Sequence, residues 1–242
     1  DWFNQRDDSF SHFMRMDGKR TQEPAIFKNF SLGVATGRDA WCYNFSKKAL
    51  TSNIYRLIDN YEEVRIESIS NKNFVLTRKP TEISWNSNLE QRLKQNAQIK
   101  FENDAFRRSF YRPFISSNLY FHVDLIARRY QLESIFPTNS TKNFAICSSG
   151  VGSKEFSCLM VNQIPCLDFL EKTQSFPRWL PGEQAKEAED VLDFGEPNEV
   201  PSGFSPEALP HFQAAYPGMP MTEDDLFYYI YGILHSEDYR TR

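Results

Sequence analysis

Residues 25–50 read "AIFKNFSLGVATGRDAWCYNFSKKAL". "AIFKNF" alternates loosely between apolar and polar positions and predicts a strand. The strand enters a loop bracketed by Gly33 and Gly37. "AWCYNF" (40–45), short and aromatic, predicts a second strand. Ser46 then stands as an N-cap. Leu50, Ile54, Leu57, Ile58 and Tyr61 follow at helical spacing, so one helix face is buried. Strand, glycine loop, strand and one-faced helix in succession point to an α+β fold.

The rest of the chain extends that reading. "NFVLTRKP" (73–80) predicts a strand closed by Pro80, and Ser87 to about Ile99 predicts a helix with Leu89, Leu93 and Ala97 inward. Short apolar runs follow, "LYFHVDLI", "NFAICSS", "FSCLMVN" and "IPCLDF", each a strand candidate separated by polar turns. His122 falls inside the first of them. "SFPRWLPG" closes a body spanning residues 1–180. Residues 181–203 read as an acidic linker with little periodicity, and 204–242 as a helical cap continuing beyond the fragment. In the cap, Ser205-Pro206-Glu207 signals a helix start. Pro210 leaves that helix short, kinked or restarting. Thr222 and Asp225 form a capping-box pair before a stripe of Leu226, Tyr229, Ile230, Ile233 and Leu234. The predicted architecture is a mixed or antiparallel sheet body with packed helices and a small C-terminal helical lobe.

Composition narrows the function. Of 242 residues, 15% are aromatic, which suits a Phe-rich core or a surface that stacks on bases. Net charge is −4, but residues 181–242 carry 13 acidic and three basic residues, leaving the first 180 at +6. A basic body suits a polyanionic partner. No apolar run reaches bilayer length and the polar opening "DWFNQRDDSF" is no signal peptide, so a cytoplasmic location is expected. The chain lacks an initial Met and reads as a fragment of a longer protein. Cys42, Cys147, Cys158 and Cys166 form no CxxC pair and are expected as buried, reduced thiols.

Several catalytic patterns fail. "CSSGVGSKEF" (147–156) lacks Walker A spacing and reads as a hairpin turn, still able to offer Lys154 and backbone amides to a phosphate. "GVATG" is no dinucleotide fingerprint. "DFGE" at Asp193 has no kinase partners. No Pro-Pro occurs, so the flipped-base motif of an amino-methyltransferase is missing. Asp8 with Asp17-Gly18-Lys19 faintly imitates a metal-dependent nuclease, but "DGK" also suits a surface turn. The histidines His12, His122, His211 and His235 are scattered, with His235 at a helix end that favours a cation.

Basic residues remain as candidates. Between Arg92 and Arg129 lie eight basic and three acidic residues, interleaved with Phe101, Phe106, Phe110, Tyr111 and Phe114. Arginine grips phosphate or reads guanine bidentately, so Arg107, Arg108, Arg112, Arg128 and Arg129 are predicted DNA contacts. The alternative is a solvated face with aromatics inward. Lys47 and Lys48 open a helix, where the dipole disfavours cations; either they are simply exposed or they face a phosphate with the helix end. Thr36 and Arg38 complete the set, although Arg38 can also pair with Asp39 as a clamp. Trp41 is expected in the core.

"SLGVATGRDAWCYNF" (31–45), "RRSFYRPF" with "LYF" (107–121), "FPRWL" (176–180), and "FSPEALPHFQAAYPG" with "DLFYYIYGILHSEDYR" (204–240) together resemble the C-terminal specificity domain of type ISP restriction–modification enzymes. Nearly the whole chain is covered; Pro210 and Cys42 depart from the pattern. The resemblance implies sequence-specific recognition of duplex DNA without catalysis by this segment. It also implies nuclease, helicase-like ATPase and adenine methyltransferase modules elsewhere in one polypeptide, which are expected partners. S-adenosylmethionine, ATP and Mg would belong to those modules, with no cofactor in this segment. A second reading makes the segment a docking module for its neighbours, and a third a Mg-dependent nuclease.

Overall fold

A computed structural model of the chain describes residues 13–17, 24–183 and 200–240. Asp8, His12, Gly18, Lys19, most of the acidic linker with Asp193, and Arg242 lie outside the described residues.

The 25–50 stretch forms much as its pattern dictates. β1 (Arg15–Asp17) pairs in parallel with β2 (Ala25–Phe27), and β3 (Ser31–Leu32) follows. The second predicted strand is largely a single helical turn, α1 (Asp39–Cys42), followed by β4 (Tyr43–Asn44). Thr36 Oγ1 bonds the Asp39 carboxylate and accepts the Arg38 amide at 3.0 Å, which turns the chain before it can extend. α2 (Lys47–Ser70) starts at Ser46, whose Oγ accepts the Ala49 amide at 3.3 Å. It buries the five apolar residues of the predicted stripe.

Two four-stranded sheets organise the body. In the first, β3, β10 (Gln174–Pro177), β7 (Ala145–Ser148) and β8 (Cys158–Val161) run antiparallel in that spatial order. The "CSSGVGSKEF" stretch supplies the β7–β8 turn. In the second, the order is β4, β6 (Ile115–Tyr120), β5 (Phe106–Arg112) and β9 (Ile164–Pro165), with β9 parallel to β5. The sheets join where Val34 bridges Cys166: the Val34 amide donates to Pro165 O at 2.8 Å and the Leu167 amide to Val34 O at 2.8 Å. A Cβ on Gly33 would stand 2.3 Å from Cys166 O, so only glycine fits this joint.

Three predicted elements differ, two strands and one helix. Residues 73–80 enter no ladder and run between turns at Asn73 and Pro80. Phe74 and Leu76 pack on the core while Val75 is 80% exposed, so the period-two pattern is real without a strand to pair with. In "LYFHVDLI" the ladder stops at Tyr120, and buried His122 stacks on the Tyr120 ring in the following turn. The helix predicted to Ile99 is shorter: α3 (Ser87–Lys94) is capped by Asn86 and ends before Asn96, whose φ is 53°.

Packing forms two apolar clusters. One lies between α2, α3 and the second sheet, with Leu50, Leu57, Tyr61, Leu89 and Leu119 fully buried. The other joins the first sheet to the C-terminal helices through Phe27, Phe176, Phe204, Phe227 and Ile230. Phe27 stacks on Phe204 at 4.9 Å and tilts against Phe176 at 5.3 Å. After the single turn α4 (Leu132–Ile135), those helices are α5 (Ala208–Ala215), α6 (Glu223–His235) and α7 (Glu237–Arg240). Pro210 occupies the third position of α5, where no intrahelical N–H bond is required, so the helix is short and not broken. The Thr222–Asp225 capping box forms.

All four cysteines are buried free thiols, and burial pushes Cys42, Cys147 and Cys158 up to about 12. Among the described residues no helix is long and apolar enough to cross a membrane.

Candidate nucleic-acid interface

Strand alternation divides the second sheet into two faces. Tyr43, Arg107, Ser109, Ser117 and Leu119 share one. Asn44, Phe106, Arg108, Phe110, Ser116, Asn118 and Tyr120 share the other. Near Phe106 and Tyr120 this second face is covered by aromatic packing with Phe101, and Lys47 at the start of α2 sets its ammonium 4.7 Å from the Phe106 ring. Farther along the hairpin the face opens to solvent.

There a polar row crosses the sheet. Asn44 pairs with Asn118, Asn118 with Arg108, and Gln163 precedes the β9 residue that pairs with Ser109. Arg108 is exposed; its Nη1 donates to Asn118 Oδ1 at 3.2 Å and its Nη2 to Ser116 Oγ at 2.8 Å. Ser116 Oγ donates to Gln163 Oε1 at 2.8 Å. Asn118 Nδ2 donates to the carbonyls of Asn44 and Phe45, at 3.1 and 2.9 Å. The row therefore abuts Phe45, Ser46, Lys47 and Lys48, all exposed. Arg, Asn, Gln and Ser are the side chains whose donor and acceptor patterns match base edges.

The predicted basic residues do not form one cluster. Thr36 and Arg38 are buried, Arg38 being 3% exposed. Arg38 does not pair with Asp39. Its Nε and Nη2 donate to Ser84 O at 3.2 and 3.0 Å, its Nη1 donates to Leu125 O, and burial lowers its pKa. Asp39 takes Thr36 and the Tyr111 hydroxyl instead. Thr36 and Arg38 are thus interior braces with no access to a phosphate. Trp41 is buried as expected, under the Arg56 guanidinium.

Arg107 points to the sheet face opposite Arg108. It donates to the carbonyls of Asp104, Phe106 and Pro137, and burial lowers its pKa. With Arg129 it lines a groove of about 340 Å³ that also contains Glu102, Asp104 and Glu133. Arg129 pairs with Glu133 at 3.2 Å. Three carboxylates make this groove a poor seat for a polyanion. Arg112 is half-buried over the Tyr111 ring at 4.2 Å, with Nη1 on Tyr111 O at 2.7 Å. Beside it, Phe114 ends the hairpin with φ 62° and 86% exposure. Arg128 is exposed on the turn whose backbone pairs with Ala35. Lys154 is exposed in the β7–β8 turn of the other sheet, its amide taken by Glu171 Oε2 at 3.0 Å.

Asn44, Ser116, Asn118 and Gln163 escape a search for charge. A signal was nonetheless present. Pro113 begins a two-residue turn between Arg112 and Ile115, and folding the chain back there sets Arg108 opposite Asn118. Among the described residues no group of three or more His, Cys, Asp and Glu side chains could hold a metal ion.

The second sheet of this α+β domain thus carries an open, polar and partly basic face. The profile of the type ISP C-terminal specificity domain matches residues 25–242, and the chain belongs to that family. Among curated proteins no match reaches significance. Solved structures are similar over most or all of the chain. LlaBIII, an ATP-dependent type ISP restriction–modification enzyme bound to DNA, is 28% identical with a TM-score of 0.79, covering 100% of this chain and 15% of its own. A nuclease-deletion mutant of the type ISP enzyme LlaGI, in complex with a DNA substrate mimic, is 25% identical with a TM-score of 0.78, covering 100% and 21%. The DrdV–DNA complex is 29% identical with a TM-score of 0.75, covering 90% and 20%. The chain therefore spans about a fifth or less of these relatives' length.

Proposed function

We propose that this chain recognises a short duplex DNA sequence as the specificity domain of a longer type ISP restriction–modification enzyme. The observation that carries this reading is the open face of the second sheet. Arg108, Asn118, Ser116 and Gln163 form a hydrogen-bonded row beside the exposed lysines of α2, within a family whose solved relatives are DNA-bound. DNA cleavage, ATP use and methyl transfer, with their S-adenosylmethionine, ATP and Mg, belong in this reading to other parts of the polypeptide. In this reading the acidic C-terminal lobe, which includes Glu223, Asp224, Glu237 and Asp238, serves the neighbouring modules and not the duplex, because its carboxylates repel phosphate.

The test is a titration of the full chain with a duplex pool at several salt concentrations. Affinity that falls linearly in log–log form with salt, and that differs between duplex sequences, supports the reading. Absence of duplex binding at low salt overturns it.

A further inference from the structure

Resting on that reading, we infer that Arg108 reads the guanine of one base pair through the major groove, with Asn118 and Ser116 as its positioning residues. Lys47 and Lys48 then meet the flanking phosphates.

The geometry distinguishes Arg108 from every other arginine proposed from sequence. Arg38 and Arg107 give Nη donors to main-chain carbonyls, Arg129 pairs with Glu133, Arg112 lies folded over Tyr111, and Arg128 is exposed but stands on a turn outside the named strands. Arg108 alone among these stands exposed in mid-strand with both Nη atoms tethered to side chains of its own sheet. The two tethers take one hydrogen on each Nη, so three of the five guanidinium hydrogens remain for the O6 and N7 acceptors of guanine. The fork is held before binding. Both partners of Asn118 Nδ2 are carbonyls, which fixes the amide with Oδ1 toward Arg108. Ser116 accepts from Arg108 while donating to Gln163, so the chain of bonds runs on to the residue before β9. Access is built in as well. β4 pairs only with Asn118 and Leu119, and β9 only with Ser109 and Phe110. Only the Tyr111–Ile115 tip continues beyond them as a two-stranded ribbon, so Arg108, exposed between these short flanking strands, is reached from the open face of the sheet.

The experiment is selection of bound duplexes from a randomised pool by the full chain and by Arg108→Ala, Asn118→Ala and the double variant Lys47→Ala/Lys48→Ala. For Arg108→Ala, one G·C position of the enriched motif becomes degenerate. Affinity for the original consensus falls about 5- to 150-fold, with little change for a duplex already altered at that position. Asn118→Ala relaxes the same position, and Arg108→Lys does not restore it. The double lysine variant keeps the motif and weakens all duplexes alike. An Arg108→Ala motif unchanged at every position overturns the assignment, as does equal loss of affinity for every duplex, which marks a phosphate contact. Should the unsubstituted chain enrich no motif, the recognition reading falls together with this one.

Discussion

Arg178 places its Nη1 2.9 Å from Glu223 Oε2, fastening the first sheet to the start of α6. Its Nε also donates to Asp224 Oδ1 at 2.6 Å, and its guanidinium lies 3.6 Å from the Trp179 ring centroid. The arginine is buried, whereas Asp224 is largely exposed. The two acids also sit in the first turn of α6, where the helix dipole favours them. This asymmetry predicts unequal mutational costs. The double variant Glu223→Ala/Asp224→Ala strands a buried guanidinium and is expected to lose about 3–5 kcal/mol. Arg178→Met leaves acids that solvent and the helix end can satisfy, and should lose less. Urea melts of the two variants decide it; equal losses refute the account.

Arg38 is expected to matter for stability and not for DNA. Lysine in its place keeps the charge but cannot span Ser84 O and Leu125 O together. Arg38→Lys should cost about 2–4 kcal/mol in chemical denaturation, while duplex affinity of the folded fraction at low temperature stays unchanged. A selective loss of affinity would return Arg38 to the interface.

Lys47 and Lys48 are exposed at the start of α2. If both lie on phosphates, Lys47→Ala/Lys48→Ala reduces the slope of log affinity against log salt by about 2, close to one unit per contact. An unaltered slope would leave them as ordinary solvated residues.

The joint at Gly33 allows no side chain, because Cys166 O stands where a Cβ would go. Gly33→Ala must part the contact between β3 and the β9 segment, and its cost is expected above about 2 kcal/mol. A melting temperature equal to that of the unsubstituted chain would contradict the close approach.

Alkaline pH should destabilise the fold. The thiols of Cys42, Cys147 and Cys158 stand at about 12 because they are buried, and Tyr61 and Tyr120 are likewise raised to about 12 by burial. Unfolded thiols ionise near about 8.5 and tyrosines near about 10. Between those values and 12 the folded state holds protons that the unfolded chain has released, so stability declines as pH rises. The contribution is intact below about pH 8.5. Melting temperatures level to about pH 8 and falling steadily to pH 11 are expected; a level profile across the whole range refutes the linkage.

Local signals were legible in the chain. Ser46 with its downstream stripe, and Thr222 with Asp225, specify helix starts because the partners lie within one turn. The type ISP pattern was legible too, since its motifs span the chain in order. Partners far apart were not. Arg38 finds its carbonyls 46 and 87 residues away, and nothing near it in sequence announces burial. Arg107 and Arg108 look alike as neighbours, yet strand alternation sends them to opposite faces. The 73–80 segment carries a strand pattern with no strand to receive it. Charge marks the arginines in the sequence, whereas Asn118, Ser116 and Gln163 are neutral and become prominent only once three separate segments meet.

That meeting bears on how such a domain diversifies. Asn44, the Arg108–Asn118 hairpin and Gln163 come from stretches of chain at least 45 residues apart. Tyr43, Ser109, Ser117, Leu119 and Ile164, their buried neighbours, carry the packing. Outer positions can therefore be exchanged one stretch at a time without disturbing the packing beneath them. On the proposed reading the sheet serves as movable type, with exchangeable letters set in a fixed frame.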